Sequence, residues 1–306
     1  MVVKLFKKRN FQKWFKLFTF KEIIFLSAGK ILEYLRKLVK YNDYYSPLKS
    51  EIDSLLIRNI NLIRKNNILF VHNYVVTDTE KCSFALRQLS SDVAVFFQII
   101  ENCEYKAVID VVQKYLKINN LIIVDLGSNI GLSVLYFKCH FPSSKIYSVE
   151  SDRNNFQHQL LNIKLNHYQN VSLINRAIWS ESSNNLIVVD DFRDQSNWSK
   201  RVVEISDLKN ESLDKVQGTT LEQIISEFVG FNNKIDILKV DIEGSEAILF
   251  NDPKFNDILV NYVKIIAVEI HEEFISKEFI INELVKLKFE VAVDSETTIF
   301  VNKNLL

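Results

Sequence analysis

From Leu121 to the C-terminus the chain alternates short, almost purely apolar runs with stretches of helical period. The runs are LIIVDLG, KIYSVES, VSLINRAI, KIDILKV, KIIAVEI, FEVAVDS and TTIFVNK. Runs without polar alternation are expected of strands buried on both faces, the condition of a parallel sheet covered by helices. Helical segments from Ile130 to about His140 and from Asp152 to about Asn166 separate the first three, so those strands form βαβ units and run parallel. Very few residues separate the last two runs, which therefore pair antiparallel. The fold class expected is α/β: a Rossmann-like, mostly parallel sheet with an antiparallel C-terminal hairpin at one edge.

Residues 1–85 read as a helical N-terminal region and 86–306 as the sheet domain. Phe11, Trp14, Phe15 and Phe18 fall at i, i+3, i+4, i+7, one helical face. That face would pack on the main domain or on a second copy; alternatively, this basic, aromatic helix would make peripheral contact with an acidic membrane surface. Residues 180–217 are irregular, with β-like pieces NLIVVD and RVVEIS. The 38 basic and 38 acidic residues balance, so no overall field draws nucleic acid. No uncharged run approaches the ~20 residues that span a bilayer. Cys82, Cys103 and Cys139 show no CxxC spacing, which argues against a zinc site or a disulfide framework and suits a reducing, cytoplasmic location.

IIVDLGSNIGLS places Asp125, Gly127, Asn129 and Gly131 at the carboxyl end of the first strand, where doubly wound sheets bind ligands. Glu150 ends the second strand, where a carboxylate can accept from a ribose diol. A dinucleotide loop reads G-x-G-x-x-G and leaves a helix N-terminus free for pyrophosphate. Here an aspartate comes first and the glycines are spaced G-x-x-x-G. A carboxylate repels pyrophosphate and suits the ammonium of a methionine moiety, so S-adenosylmethionine is the cofactor expected. A NAD-linked oxidoreductase and a catalytically inactive, methyltransferase-like binding protein are the competing readings.

DLGSNIG, the Glu150 strand end, NRAIW, GTTLEQII, DILKVDIEGSE and VEIH together resemble the FkbM family of S-adenosylmethionine-dependent methyltransferases. The similarity begins near LRQLSSDVAVFFQIIENCEYKAV and runs almost to the C-terminus. Ser151 follows Glu150 where family members usually carry proline. The resemblance implies a class I methyltransferase sheet and methyl transfer to oxygen, on a hydroxyl of a glycan or other small molecule.

Such a transfer needs a base for the hydroxyl proton at the carboxyl end of the sheet. KVDIEGSE ends the fourth parallel strand and offers Asp241 and Glu243; Glu246 opens the next helix, where an acid suits the helix dipole. Glu269 and His271 alternate at the end of the fifth strand and share a face. Imidazole is matched to base work near neutral pH, which makes His271 a candidate beside Asp241, Glu243 and Glu269. The same four groups would also make a Mg or Mn set, although no metal is expected. Tyr105 opens the helix before the first strand and would lie over the methionine end of the cofactor, or else pack in the core. Asp92 is a similar candidate. Arg176, Ala177 and Ile178 would pass the adenine through their backbone.

Overall fold

The computed structural model describes residues 52, 54, 55, 61–189, 200–204 and 215–306. The chain divides into two compact units, Met1–Val93 and Ala94–Leu306. The aromatic stripe from Phe11 to Phe18, and the membrane or partner contact expected of it, lie outside the described residues.

Within the first unit the helical reading fails from Leu62 onward. Strands β1 (Leu62–Lys65), β2 (Ile68–Val75) and β3 (Lys81–Arg87) form an antiparallel sheet in sequence order. Asn66 and Asn67 both have positive φ, 48° and 60°, between the paired residues Lys65 and Ile68. This is the two-residue hairpin that asparagines support because they tolerate left-handed backbone. In β2 the buried Leu69 and Val71 alternate with more exposed neighbours. That period of two was the sequence signal for a strand. Asp92 is buried by a bidentate pair with Arg87, at 2.8 and 2.9 Å, and also accepts the Arg87 N–H. It is an internal counter-ion of this unit.

Helix α1 (Asp92–Phe96) runs across the boundary between the units and continues as a π-helical turn, Phe97–Glu101. The second unit then follows the expected βα alternation. Its elements are α2 (Lys106–Tyr115), β4 (Ile122–Leu126), α3 (Leu132–His140), β5 (Lys145–Val149), α4 (Arg153–Leu165) and β6 (Val171–Ile174). After the irregular region come α5 (Leu221–Ile224), β12 (Ile235–Val240), α6 (Glu246–Phe250), α7 (Pro253–Tyr262), β13 (Val263–Glu269), α8 (Lys277–Lys286), β14 (Phe289–Val293) and β15 (Thr297–Asn302). The main sheet has the order β14-β15-β13-β12-β4-β5-β6. All pairs from β13 to β6 are parallel, and β15 runs antiparallel between β13 and β14. Every residue of β12 is buried, as the unalternated run IDILKV requires. The core gathers Val124, Leu126, Leu238, Val240, Ile266 and Phe300 with Leu259 and Leu284 of the helices.

VSLINRAI is not one strand. Asn175 donates its amide to the carbonyls of Glu150 and Ser151, at 2.8 and 3.2 Å, and turns the chain out of the sheet after Ile174. Ala177–Ile178 (β7) then pairs parallel with Gly218–Thr219 (β11). Leu186–Val189 (β8) lies between Arg201–Glu204 (β9) and Lys215–Val216 (β10) in a small antiparallel sheet, which gives the irregular region its β character. The last long helix starts at Lys277 rather than Phe274, because Ser276 caps it by accepting the Phe279 N–H.

Cys103 is a free thiol, but Cys82 and Cys139 are not, so the cysteines lend no support to a reducing compartment. Among the described residues no helix is long and apolar enough to cross a membrane.

Candidate active site

The end of β4 meets the end of β12. Lys239 stands opposite Asp125 in the register of these strands, and Val240 opposite Leu126. The chain then turns through Gly127 at φ +78°, where a Cβ would lie 1.6 Å from the backbone oxygen of Asp241. Only glycine lets the two strand ends approach this closely. Asn129 follows in left-handed backbone, φ 50°. Gly131, φ +83°, precedes α3 and faces Gln159, whose Cγ would be 2.8 Å from an added Cβ. Gly131 therefore serves the packing of α4 against the loop and does not line the cavity.

Glu150 anchors the turn from the neighbouring strand. One oxygen accepts the Asn129 N–H at 2.8 Å and the other the Asp152 N–H at 2.7 Å. Burial pushes its carboxyl up to about 7, while these two hydrogen bonds pull the other way. Each oxygen keeps a lone pair for a further donor.

A cavity of about 310 Å³ opens at the carboxyl ends of β4, β5, β12 and β13. Of the residues picked out from sequence, Tyr105, Gly127, Asn129, Glu150, Ala177, Asp241, Glu243 and Glu269 line it, and Asp125, Gly131 and His271 do not. Tyr105 is buried with its ring 5.4 Å from that of Phe137, so it is both a wall of the cavity and part of the core. Burial holds its phenol well above the ordinary range.

Asp125 is the first correction. It is fully buried, accepts from the Ser133 hydroxyl at 2.5 Å and lies 3.2 Å from the Lys239 ammonium. Committed to these internal partners, it is not placed to hold a ligand's ammonium. Lys239 also reaches Asp241 at 3.2 Å and donates to the Gly127 carbonyl at 2.7 Å.

His271 is the second. The ring is buried, with Nδ1 2.9 Å from Glu246 and Nε2 3.3 Å from Glu243. Burial works against its charge, but Glu243 and Glu246 prevail and raise it to about 11. An imidazolium donates; it cannot serve as the base. Glu246 in turn accepts the Ile242 and Gly244 N–H groups at 3.0 and 2.8 Å. More than a dipole effect, Glu246 is the hub that shapes the turn after β12. Glu243 (φ 53°) and Gly244 (φ 97°) make this turn, and a Cβ on Gly244 would strike the Phe274 ring at 2.4 Å.

What remains facing the cavity is a surplus of carboxylates. Asp241, Glu243 and Glu269 are joined by Glu104 and Glu296, which no motif marked. The charge of Asp241, then burial, then Glu104 push Glu269 up to about 8. Burial, then Asp241, push Glu104 up to about 7. Asp241, Glu269 and His271 hold ligand atoms within 4.8 Å of one another, but an ion taking the imidazole nitrogen would first have to expel its proton. Two buried polar atoms on lining residues, Asn129 Oδ1 and Ser245 Oγ, have no hydrogen-bond partner among the described residues. A cavity of this volume, rich in carboxylates and with polar atoms waiting, fits a cationic ligand that carries hydroxyls and amine donors.

Residues 125–291, more than half of the chain, match the family described as methyltransferase FkbM domain. No curated protein sequence matches the chain. Solved structures similar to it include TYW2 of M. jannaschii in complex with AdoMet, at 16% identity over 78% of this chain and 86% of that one, with a TM-score of 0.35. A putative caffeoyl-CoA O-methyltransferase from Staphylococcus aureus is 11% identical over 68% and 90%, with a TM-score of 0.38. A methyltransferase from Geobacter sulfurreducens is 12% identical over 89% and 96%, with a TM-score of 0.35.

Proposed function

Because the chain belongs to the FkbM methyltransferase family, with S-adenosylmethionine as its cofactor, we propose that it methylates a hydroxyl oxygen of a glycan or other small molecule, with Glu269 as the base. The observation that carries this reading is the Asp241–Glu269 pair at the cavity wall. A hydroxyl is a poor nucleophile until its proton is taken, and a base works best when its pKa lies near the working pH. Glu269, pushed up to about 8 by the neighbouring Asp241 charge, meets that demand.

When bound, the cofactor supplies a methyl group made electrophilic by its sulfonium charge. Glu150 would hold the ribose hydroxyls, Asn129 and Ser245 have free acceptor atoms for the polar ends, and Ala177 leaves room for a flat base. The His271 imidazolium, held between Glu243 and Glu246, keeps the acidic turn in place. Family membership sets aside the NAD-linked reading. Glu150→Ala is expected to weaken S-adenosylmethionine binding roughly 10–100-fold, the worth of hydrogen bonds to a charged group. Calorimetry that gives the same affinity for the variant would remove Glu150 from the site.

The test of the function is a panel of sugars, lipid-linked sugars and small polyols incubated with protein and S-adenosylmethionine, with products located by mass spectrometry and NMR. A methyl group on oxygen is expected, formed equally with and without EDTA. Methylation at nitrogen or carbon, or loss of product on chelation, would overturn the reading.

A further inference from the structure

We propose that strand β9 is a strap across the nucleoside end of the cofactor cavity, and that Lys200 is the positioning residue that pins it there through Asp152. This rests on Glu150 as the ribose site and not on the acceptor or the base.

β9 belongs to the irregular region between the motifs NRAIW and GTTLEQII. Lys200 and Val202 both line the cavity. They lie two residues apart, the spacing that puts side chains on one face of an extended chain. Arg201 falls on the other face, and its guanidinium lies 5.6 Å from the centre of the Phe274 ring. Phe274 in turn covers Gly244 in the turn after β12. The Lys200 ammonium lies 2.8 Å from Asp152 Oδ2 in the turn after β5. Two consecutive residues of one segment thus reach the turns after β5 and β12, the strands that flank β4 in the sheet.

Asp152 connects this strap to the ribose site. Its backbone N–H donates to Glu150 at 2.7 Å, and its Oδ1 accepts the Asn155 N–H at 2.7 Å, which caps α4. The side chains of Lys200 and Asp152 are only 14% and 9% exposed. Water therefore screens this pair less than an open surface pair, and losing one partner leaves the other charge poorly solvated. Val202 packs in a cluster with Ala177, Trp179 and Leu186. Val202, Ala177 and Ile178, all buried, line the cavity together. An apolar wall beside a carboxylate that accepts from a diol is the lining a purine nucleoside needs. That wall is complete only while β9 is in place, so apparent affinity falls with the fraction of molecules in which the pair is closed.

The test is calorimetry with S-adenosylhomocysteine and with methylthioadenosine, which keeps the nucleoside and lacks the amino-acid end. Wild type, Lys200→Met, Asp152→Asn and the double variant are compared. Asparagine also caps helices, so Asp152→Asn removes the charge and leaves α4 its start. Each single variant is expected to bind both ligands roughly 5–50-fold more weakly, between the worth of an exposed pair and that of a buried one. The double variant is expected to bind no more weakly than either, because the two residues act as one pair. Lys200→Arg is expected to restore most of the affinity. Unchanged affinity in the single variants overturns the proposal. A loss in Lys200→Met that Asp152→Asn does not share overturns it too, because the lysine would then be a direct ligand contact. Weakening confined to S-adenosylhomocysteine would move Lys200 to the amino-acid end, with the same result. A lowered melting point with no rescue by Lys200→Arg would mark a purely structural lysine and would likewise sink it. No acceptor is present in these measurements, so they stand whichever atom is methylated, and Glu150→Ala with the same two ligands tests the ribose placement separately.

Discussion

Replacing Gly127 by alanine is expected to abolish cofactor binding and to cost more than ~3 kcal/mol of stability. The added Cβ would sit 1.6 Å from the backbone oxygen of Asp241 and 2.7 Å from its carbonyl carbon. Neither atom can rotate away, because Asp241 donates its own N–H to the Leu126 carbonyl and is fixed at the end of the sheet. The φ of +78° adds a second penalty for any side chain. Relief requires the β4 and β12 ends to part, which would also separate Lys239 from Asp125 and undo the floor of the cavity. Gly131→Ala is the control. Its Cβ meets the Gln159 side chain, part of which can shift, so the loss should be smaller. Thermal melting and calorimetry with S-adenosylhomocysteine would show both effects. Wild-type affinity in Gly127→Ala would mean that the glycine turn does not shape the site.

Glu269→Gln is expected to lower kcat by roughly 10²–10⁴-fold, the usual worth of a positioned base, while cofactor affinity changes only a few-fold. The pH profile carries the sharper signature. A base must be unprotonated to act, so wild-type turnover should be low in acid and climb through about pH 8. The amide has no proton to lose there, and that limb should vanish. A limb that persists in Glu269→Gln would move the base elsewhere, first to Asp241 or Glu104. Stability should shift the other way. A carboxyl raised in the folded state binds its proton more tightly there than in the unfolded chain. Its contribution is therefore complete below about pH 4.5 and is lost as pH rises towards 8. The amide removes that loss, so the variant without cofactor should melt no lower than wild type at pH 8.

The sheet was legible because its signals are local. Unalternated runs such as IDILKV and KIIAVE can be buried on both faces only inside a covered parallel sheet, and the short gap before TTIFVN dictates a hairpin. Glycine spacing and the Glu150 strand end were equally plain. The β1–β2 hairpin has a local signal too, the paired Asn66 and Asn67 between apolar runs, but asparagine marks a turn more weakly than glycine. Asn175, which splits VSLINRAI, could not be read that way. Its partners, the carbonyls of Glu150 and Ser151, lie 25 and 24 residues away.

Within the site the same division holds. The sequence alone determined that acids gather at the carboxyl ends of the strands, and most of the residues it named face the cavity. Which of them keep their protons, and which are spent on one another, was decided only by the tertiary structure. Asp125 is turned inward by a lysine 114 positions away, and His271 is charged by two glutamates from a different turn. Glu104 enters from the turn before α2, which no motif marks. The physical reason is that periodicity belongs to neighbouring residues along the chain, whereas a charge answers to every other charge within a few ångströms in space.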